Sequence, residues 1–342
     1  MVTSEEVAQR AGVSRATVSY VMSGKRTISE KTRAKVLRAM DELGYYPNAN
    51  ARALAGRRSG VIGVVSRFDE GVQMPEFLPF FSAILSTARK RGYDVILVPG
   101  DEGVDGIRRM VGQSLVDGVL VFDIRREDDR LEPIAAMHVP AVLIGTTADA
   151  HGLACVDVDY AMVARLAVDE AADCGANRML LVADRKPIAD EFVFAATFED
   201  VCERRARERG LAYEVFRPEI AGWRGFGPLG DLLERHADGR HADDRCALVT
   251  RTPRQLDWTL QLMLGRGIRA GEDMAVIGVC VDGYATSLRV DVTNVDPHHG
   301  LVAERATDEL LDLIDGKSAA NPLTLVRPEL HRRTTTLDFR RP

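Results

Sequence analysis

The chain has 342 residues, 46% of them hydrophobic, with a formal net charge of −6, enough to bury a large core and to form more than one domain. No apolar run is long enough to cross a bilayer, and the start lacks the basic-then-apolar design of a signal peptide; a cytoplasmic protein without membrane attachment is expected. Five cysteines (Cys155, Cys174, Cys202, Cys246 and Cys280), odd in number and without a CxxC pair, fit neither a disulfide framework nor a zinc site.

The first sixty residues have a composition of their own. Thr3 and Glu6 have capping-box spacing, which starts a helix, and Val7, Ala8 and Ala11 give that helix one apolar face. Gly12 supplies a tight turn, and Ser14 can cap a second helix with Val18, Val21 and Met22 on its inner face. Two short helices joined by a glycine turn form a helix-turn-helix, and the small residues Ala8, Ala11 and Ala16 allow close crossing. An ordinary helical hairpin would share much of this pattern. Charge separates the two readings: residues 1–60 carry 11 Lys/Arg and 5 Asp/Glu, whereas the remaining 282 carry 34 and 46. A basic head on an acidic body is suited to meeting phosphates. Arg15, Ala16 and Tyr20 occupy the outer face and N-terminal end of the second helix, where base edges are read. Ser29 caps a third helix through Leu43, with Val36, Leu37, Met40 and Leu43 expected inside and Gly44 as its stop. Lys31, Arg33, Lys35 and Arg38 decorate its outside, where some should reach phosphate.

Pro47 forces Tyr46 to be extended and divides the head, 1–46, from a linker over 47–60. Residues 48–55 have good helix propensity but are too few to hold a helix alone, and 56–60 form a basic, flexible tether. From residue 61 short apolar runs alternate with helical periodicity, the pattern of parallel sheets covered by helices. Strands are predicted at 61–65, 94–98, 118–122 and 141–144, then at 179–183, 213–216, 247–250 and 275–279. The fold class is thus α/β: an all-α head and hinge followed by a doubled core, 61–342.

The run Val2-Thr3-Ser4-Glu5-Glu6-Val7-Ala8, Ala11-Gly12-Val13-Ser14 and Thr17-Val18-Ser19 resembles the opening of lactose-repressor/galactose-repressor (LacI/GalR-type) regulators. Ser29-Glu30-Lys31-Thr32-Arg33, Leu43-Gly44-Tyr45-Tyr46-Pro47-Asn48 and Ala51-Arg52-Ala53-Leu54-Ala55 extend the match, which continues more loosely to the end. The resemblance implies a repressor that binds a pseudo-palindromic double-stranded operator as a homodimer. It implies a hinge helix that folds on DNA and wedges Leu54 into the minor groove, an insertion that bends the duplex. Arg15, Ala16, Tyr20 and Leu54 would touch bases. Thr3, Ser14, Thr17, Ser19, Lys31, Arg33, Asn48 and Arg52 would touch the backbone. The chain ends at Phe339-Arg340-Arg341-Pro342 without the leucine heptads of tetrameric members, so a dimer is expected.

For the core the resemblance implies a two-lobed, periplasmic-binding-protein-like fold crossed three times by the chain. Lobe 1 would take about 61–158 and 291–322, and lobe 2 about 159–290 and 323–342. A small-molecule effector would sit between them, with Arg67, Phe68, Phe80, Asp123, Trp223 and Arg251 facing the cleft. Leu78, Phe194, Arg251-Thr252 and Cys280-Val281 stand where relatives place polar ligand groups, with Asp282 one place late. Each sugar hydroxyl buried unpaired would cost roughly 1–3 kcal/mol, so an aromatic or apolar effector with an acidic group held by Arg251 is expected. The alternative is a DNA-binding regulator whose core is only a dimerisation scaffold.

Other motifs carry less. Gly225-Phe226-Gly227-Pro228-Leu229-Gly230 spells GxGxxG, but it does not follow a strand directly, so a helix-capping loop is expected and a dinucleotide is not. His298-His299 beside Asp296 lacks a third metal ligand. No nucleophile has a base at catalytic spacing; neither enzyme activity, metal nor cofactor is expected. A soluble binding or catalytic α/β protein with an incidental helical head would not need the basic charge or the hinge.

Overall fold

The computed structural model describes residues 2–23, 26–45, 58–67, 74–237, 245–337 and 339. The head holds three helices, α1 (Ser4–Ala11), α2 (Arg15–Ser23) and α3 (Glu30–Glu42). Thr3 and Glu6 close the expected capping box at α1. At the end of α3, Gly44 turns left-handed at φ 60°, and the Tyr45 and Gly44 amides bond the carbonyls of Met40 and Asp41. That double bond satisfies carbonyls the helix would otherwise leave bare. Val7, Ala8, Ala11, Val18, Val36 and Ala39 form the small core. Leu37, expected inside, is half exposed; Ala39 takes the inner position instead.

The first part of the core is built from β1 (Val61–Ser66), α4 (Met74–Lys90), β2 (Asp94–Pro99), α5 (Gly103–Gly112), β3 (Gly118–Val121), α6 (Leu131–Ala136), β4 (Ala141–Ile144) and β5 (Ala154–Val158). The second part contains α7 (Tyr160–Asp173), β6 (Arg178–Val182), α8 (Lys186–Glu191), α9 (Val193–Glu208), β7 (Ala212–Phe216), α10 (Gly227–Ala237), β8 (Cys246–Thr250), α11 (Pro253–Gly265), β9 (Ala275–Val279), α12 (Asp282–Ala285) and β10 (Thr293–Asp296). The chain closes with α13 (His299–Ile314), β11 (Leu323–Val326), β12 (Glu329–His331) and α14 (Thr334–Leu337). Two six-stranded sheets result, ordered β11-β5-β4-β3-β1-β2 and β12-β10-β9-β8-β6-β7. Every pairing is parallel except β10 with β12.

Helices cover both faces of each sheet, which is why the central strands read as unbroken apolar runs. On β1, Ile62 and Val64 pack with Ile84 of α4 and Leu310 of α13, while Val65 faces Ile107 and Met110 of α5. On β6, Met179 and Leu181 face the α7–α9 side, and Leu180 and Val182 face Leu229 of α10 and Leu256 of α11.

The expected lobe boundaries need correction. β10 pairs with β9 and belongs to lobe 2, so the return to lobe 1 falls near residue 297 rather than 291. β11 pairs with β5, which keeps 323–326 in lobe 1, and β12 begins the final passage in lobe 2. The crossings therefore lie at 158–159, 296–298 and 326–329. Residues 225–230 run from the end of a 3-10 turn (Trp223–Phe226) straight into the first turn of α10, with no separate loop; a Cβ at Gly225 would lie 2.2 Å from the Ile220 carbonyl oxygen, so close packing accounts for this glycine.

Candidate functional site

In the head, the Ser14 hydroxyl accepts the Thr17 amide (3.1 Å) and meets the Thr17 hydroxyl (2.9 Å), setting the start of α2. Val18 is fully buried, so the helix is fixed in rotation and Arg15, Ala16 and Ser19 face outward. Arg15 Nε donates to Ser4 Oγ at 3.2 Å, laying the guanidinium across the start of α1. Tyr20 is half buried, with the Arg26 guanidinium 5.8 Å from its ring centre. Thr3, Lys31 and Arg33 are exposed on the same module, and Thr17 is partly buried. Asn48, Arg52 and Leu54 lie outside the described residues, as does Phe68 of the cleft set.

The cleft is assembled where strands end. In parallel sheets the loops at the carboxyl ends surround the ligand-binding crevice. Arg67 follows β1, Gly100 and Asp101 follow β2, Asp123 follows β3, Asp184 follows β6 and Arg251 follows β8. An outer cavity of about 590 Å³ lies between Arg67, Asp101, Asp123, Arg125 and Arg130 of lobe 1 and Glu191 and Phe192 of lobe 2. Asp123 has a left-handed backbone at φ 55°, and its carboxylate accepts the Arg67 amide (2.8 Å) and the Ser66 hydroxyl (3.0 Å). Arg130 supports that turn from behind, donating to the carbonyls of Phe122 and Asp123 and to both oxygens of Asp128. On the rim, the Arg126 amide bonds the Glu191 carbonyl of the other lobe at 2.7 Å.

The deep end of the cleft is organised around Arg251. Thr252 and Gln255 form a capping box at the start of α11, and Gln255 Oε1 also accepts the Arg251 amide at 3.0 Å. The Arg251 side chain, 6% exposed, forks onto both oxygens of Asp184, lies 3.6 Å from Glu76 of lobe 1 and covers the Phe194 ring at 5.0 Å. Burial alone would depress the Arg251 pKa, but the two carboxylates outweigh it and push the value up. Burial pushes the Glu76 carboxyl up against the pull of Arg251. Phe194 packs against Tyr160 and Phe192, so an aromatic wall connects this cluster with the outer cavity. Nearby, burial raises Asp157 to about 7 and lowers His299, stacked on Phe80 at 4.5 Å, to about 3.

Several expected cleft residues are placed elsewhere. Cys280 is buried in the lobe 2 core, its thiol pushed by burial up to about 12. Asp282 pairs with Arg333 and lies 3.8 Å from His331. Trp223 is exposed and meets Trp258 edge-on at 5.9 Å. Leu78 stands on the outer side of α4, 58% exposed. The pocket is not starved of polar groups, as the aligned positions suggested; Asp101, Arg125 and Glu191 supply them from other loops. Arg251 is already committed to two carboxylates, so it is not a spare cation. Among the described residues, no group of three or more His, Cys, Asp or Glu is arranged to hold a metal ion. No described helix is long and apolar enough to cross a membrane.

Comparison with known proteins agrees with both halves. Residues 3–48 match the model of bacterial regulatory proteins, lacI family, and residues 168–336 match the periplasmic binding protein-like domain. Catabolite control protein A of Priestia megaterium is 31% identical over 306 residues, covering 86% of this chain and 87% of that protein. The chain belongs to the LacI family. LacI-family relatives include HTH-type transcriptional regulator MalR of Staphylococcus xylosus, 31% identical over 189 residues, a match spanning 54% of this chain and 56% of that protein. The lac repressor dimer bound to operator and an anti-inducer superposes with a TM-score of 0.78 at 25% identity, covering 98% of this chain and 99% of that one. This LacI-family chain is accordingly a DNA-binding transcriptional regulator with an effector-binding type of core, and its relatives are regulators rather than enzymes.

Proposed function

We propose that the protein is a cytoplasmic repressor that binds a pseudo-palindromic operator as a homodimer and answers to a small molecule held between its lobes. The observation that carries this reading is the outward face of α2, where Arg15, Ala16, Ser19 and Tyr20 are offered on a helix pinned by buried Val18. Arg15 would reach guanine through its terminal nitrogens, since Nε is engaged by Ser4. Ser14, Thr17, Lys31 and Arg33 would hold phosphates, and the hinge residues Asn48, Arg52 and Leu54 would follow the minor groove. Met74, Leu78 and Leu85 form an exposed apolar stripe on α4, beside Ile96 and Leu97 on the edge strand β2. This face of lobe 1 suits a second copy better than solvent. The outer cavity falls within the usual range of ligand pockets, which favours an effector over a bare scaffold.

Selection of bound sequences from random DNA tests the reading. Two inverted half-sites should emerge, and footprints should show one dimer across both. A motif without inverted symmetry, or no enriched motif, overturns it. A thermal-shift screen of metabolites then addresses the effector; a ligand at a hundred times its Kd stabilises by about 2.7 kcal/mol.

A further inference from the structure

Among the described residues the lobes make polar contacts on the rim and at the deep end of the cleft. At the rim, the Arg126 amide bonds the Glu191 carbonyl at 2.7 Å, and the Arg125 side chain approaches that of Glu191 at 4.0 Å, both side chains more than a third exposed. Solvent screens such a pair, and it restrains little. At the deep end, Arg251 and Asp184 of lobe 2 meet Glu76 of lobe 1 with every partner largely shielded from water. Separating the lobes there would strip Glu76 and Arg251 of each other and leave apolar Phe194 facing the gap. The capping box of α11 fixes the backbone from which Arg251 starts, and α4 fixes that of Glu76, so the contact depends on how the two lobes are placed.

We infer that Arg251, Asp184 and Glu76 form a built-in latch that holds the lobes together across the deep end of the cleft without any ligand. The guanidinium occupies the space a ligand would otherwise fill there and supplies the inter-lobe contact a ligand would make. A small molecule is then left the outer cavity along Phe192, and it acts on lobes that are already closed. Any effector that alters their arrangement has to work against this contact.

The test needs neither DNA nor effector, so its result is independent of the operator reading. All five native cysteines are buried. Exposed Gln113 of lobe 1 and Gln261 of lobe 2 can therefore be changed, Gln113→Cys and Gln261→Cys, spin-labelled in the full-length protein and diluted with an excess of unlabelled chain so that only the intra-chain pair is read. Pulsed electron resonance should report one narrow intra-chain distance in the unliganded protein. Glu76→Gln, which keeps the shape and removes the lobe 1 charge, should broaden that distribution and lengthen its mean by several ångström. Arg251→Lys, which keeps charge but loses the fork and the ring contact, should do the same to a smaller degree and serves if Glu76→Gln folds poorly. Arg125→Gln on the rim should leave the distribution unchanged. A broad distribution in the unsubstituted protein, no response to either latch substitution, or an equal response to Arg125→Gln overturns the proposal.

Discussion

Arg15 in the head and Arg251 in the cleft are the same residue used in opposite ways. Arg15 is exposed and holds a single bond to Ser4, so most of its donors await a partner outside the chain. Arg251 is buried, and its charge is taken up by Asp184, Glu76 and the Phe194 ring. The lesson is that a functional-looking arginine at an expected position says little until its partners are known. An unengaged one contributes to binding, and a fully engaged one contributes to the fold.

Substitutions sharpen this contrast. Arg251→Ala should cost about 3–5 kcal/mol of core stability, because it strands two buried carboxylates; denaturant unfolding measures it. A loss below about 1 kcal/mol would make Arg251 as dispensable to the fold as Arg15 is expected to be.

Next in size is a pH effect in the same buried region. Asp157 ionises near 7 in the fold against an ordinary 3.8, because burial disfavours its charge. The stability it lends is therefore complete below about 4 and lost as pH rises through 7. His299 behaves oppositely: lowered by burial from 6.5 to about 3, it lends stability above 6.5 that is lost as pH falls. Between pH 4 and 6.5 the two slopes cancel. Asp157→Asn should remove one of them, giving a protein whose thermal stability climbs over that interval and exceeds the parent's at pH 8 by about 2–3 kcal/mol. A variant whose stability stays level with pH would remove the basis for this compensation.

On the exposed side, Arg15→Ala should cost about 1–3 kcal/mol of operator affinity and relax preference at one position in each half-site, leaving unfolding within about 0.5 kcal/mol. Uniform weakening on every sequence would reassign Arg15 to phosphate. The smallest effect should come from Gly44→Ala, which forces a side chain into a left-handed turn at about 1 kcal/mol. Heteronuclear NMR should show head resonances melting earlier while core resonances hold, if the two regions are as separate as their cores suggest.

The head was legible because its signals are local. Thr3 with Glu6, Gly12, Ser14 and Gly44 act within a few residues of themselves, and each does in the structure what its spacing implied. Leu37 was misread because an apolar residue flanking a helix's inner face follows the same periodicity as one upon it. In the core, long apolar strands were plain, but β5, β10 and β11 were not, since Asp157, Thr293, Asn294, Asp296 and Thr324 interrupt the pattern. Their polar side chains are bought off by tertiary partners: Asn294 bonds the Cys280 carbonyl, and Thr293 meets Thr336. The deep cluster joins residues 76, 184, 194 and 251, whose meeting depends on two sheets facing one another. Reading the second residue past each strand end would have found Asp101 and Asp184; ranking positions by resemblance pointed to Cys280 and Trp223 instead.

The three crossings have a consequence for the protein's birth. Lobe 1 lacks α13 and β11 until Val326 has been synthesised, and lobe 2 lacks β12 until His331 and α14 until Leu337. Neither sheet can be finished while the ribosome is still making the middle of the chain, although the head, complete by Tyr45, can fold at once. A chain released near residue 290 would present an able reading head on two open sheets, with the β5 and β9 edges bare. Translation speed over the last fifty or so codons should therefore govern the yield of folded regulator more than speed anywhere earlier.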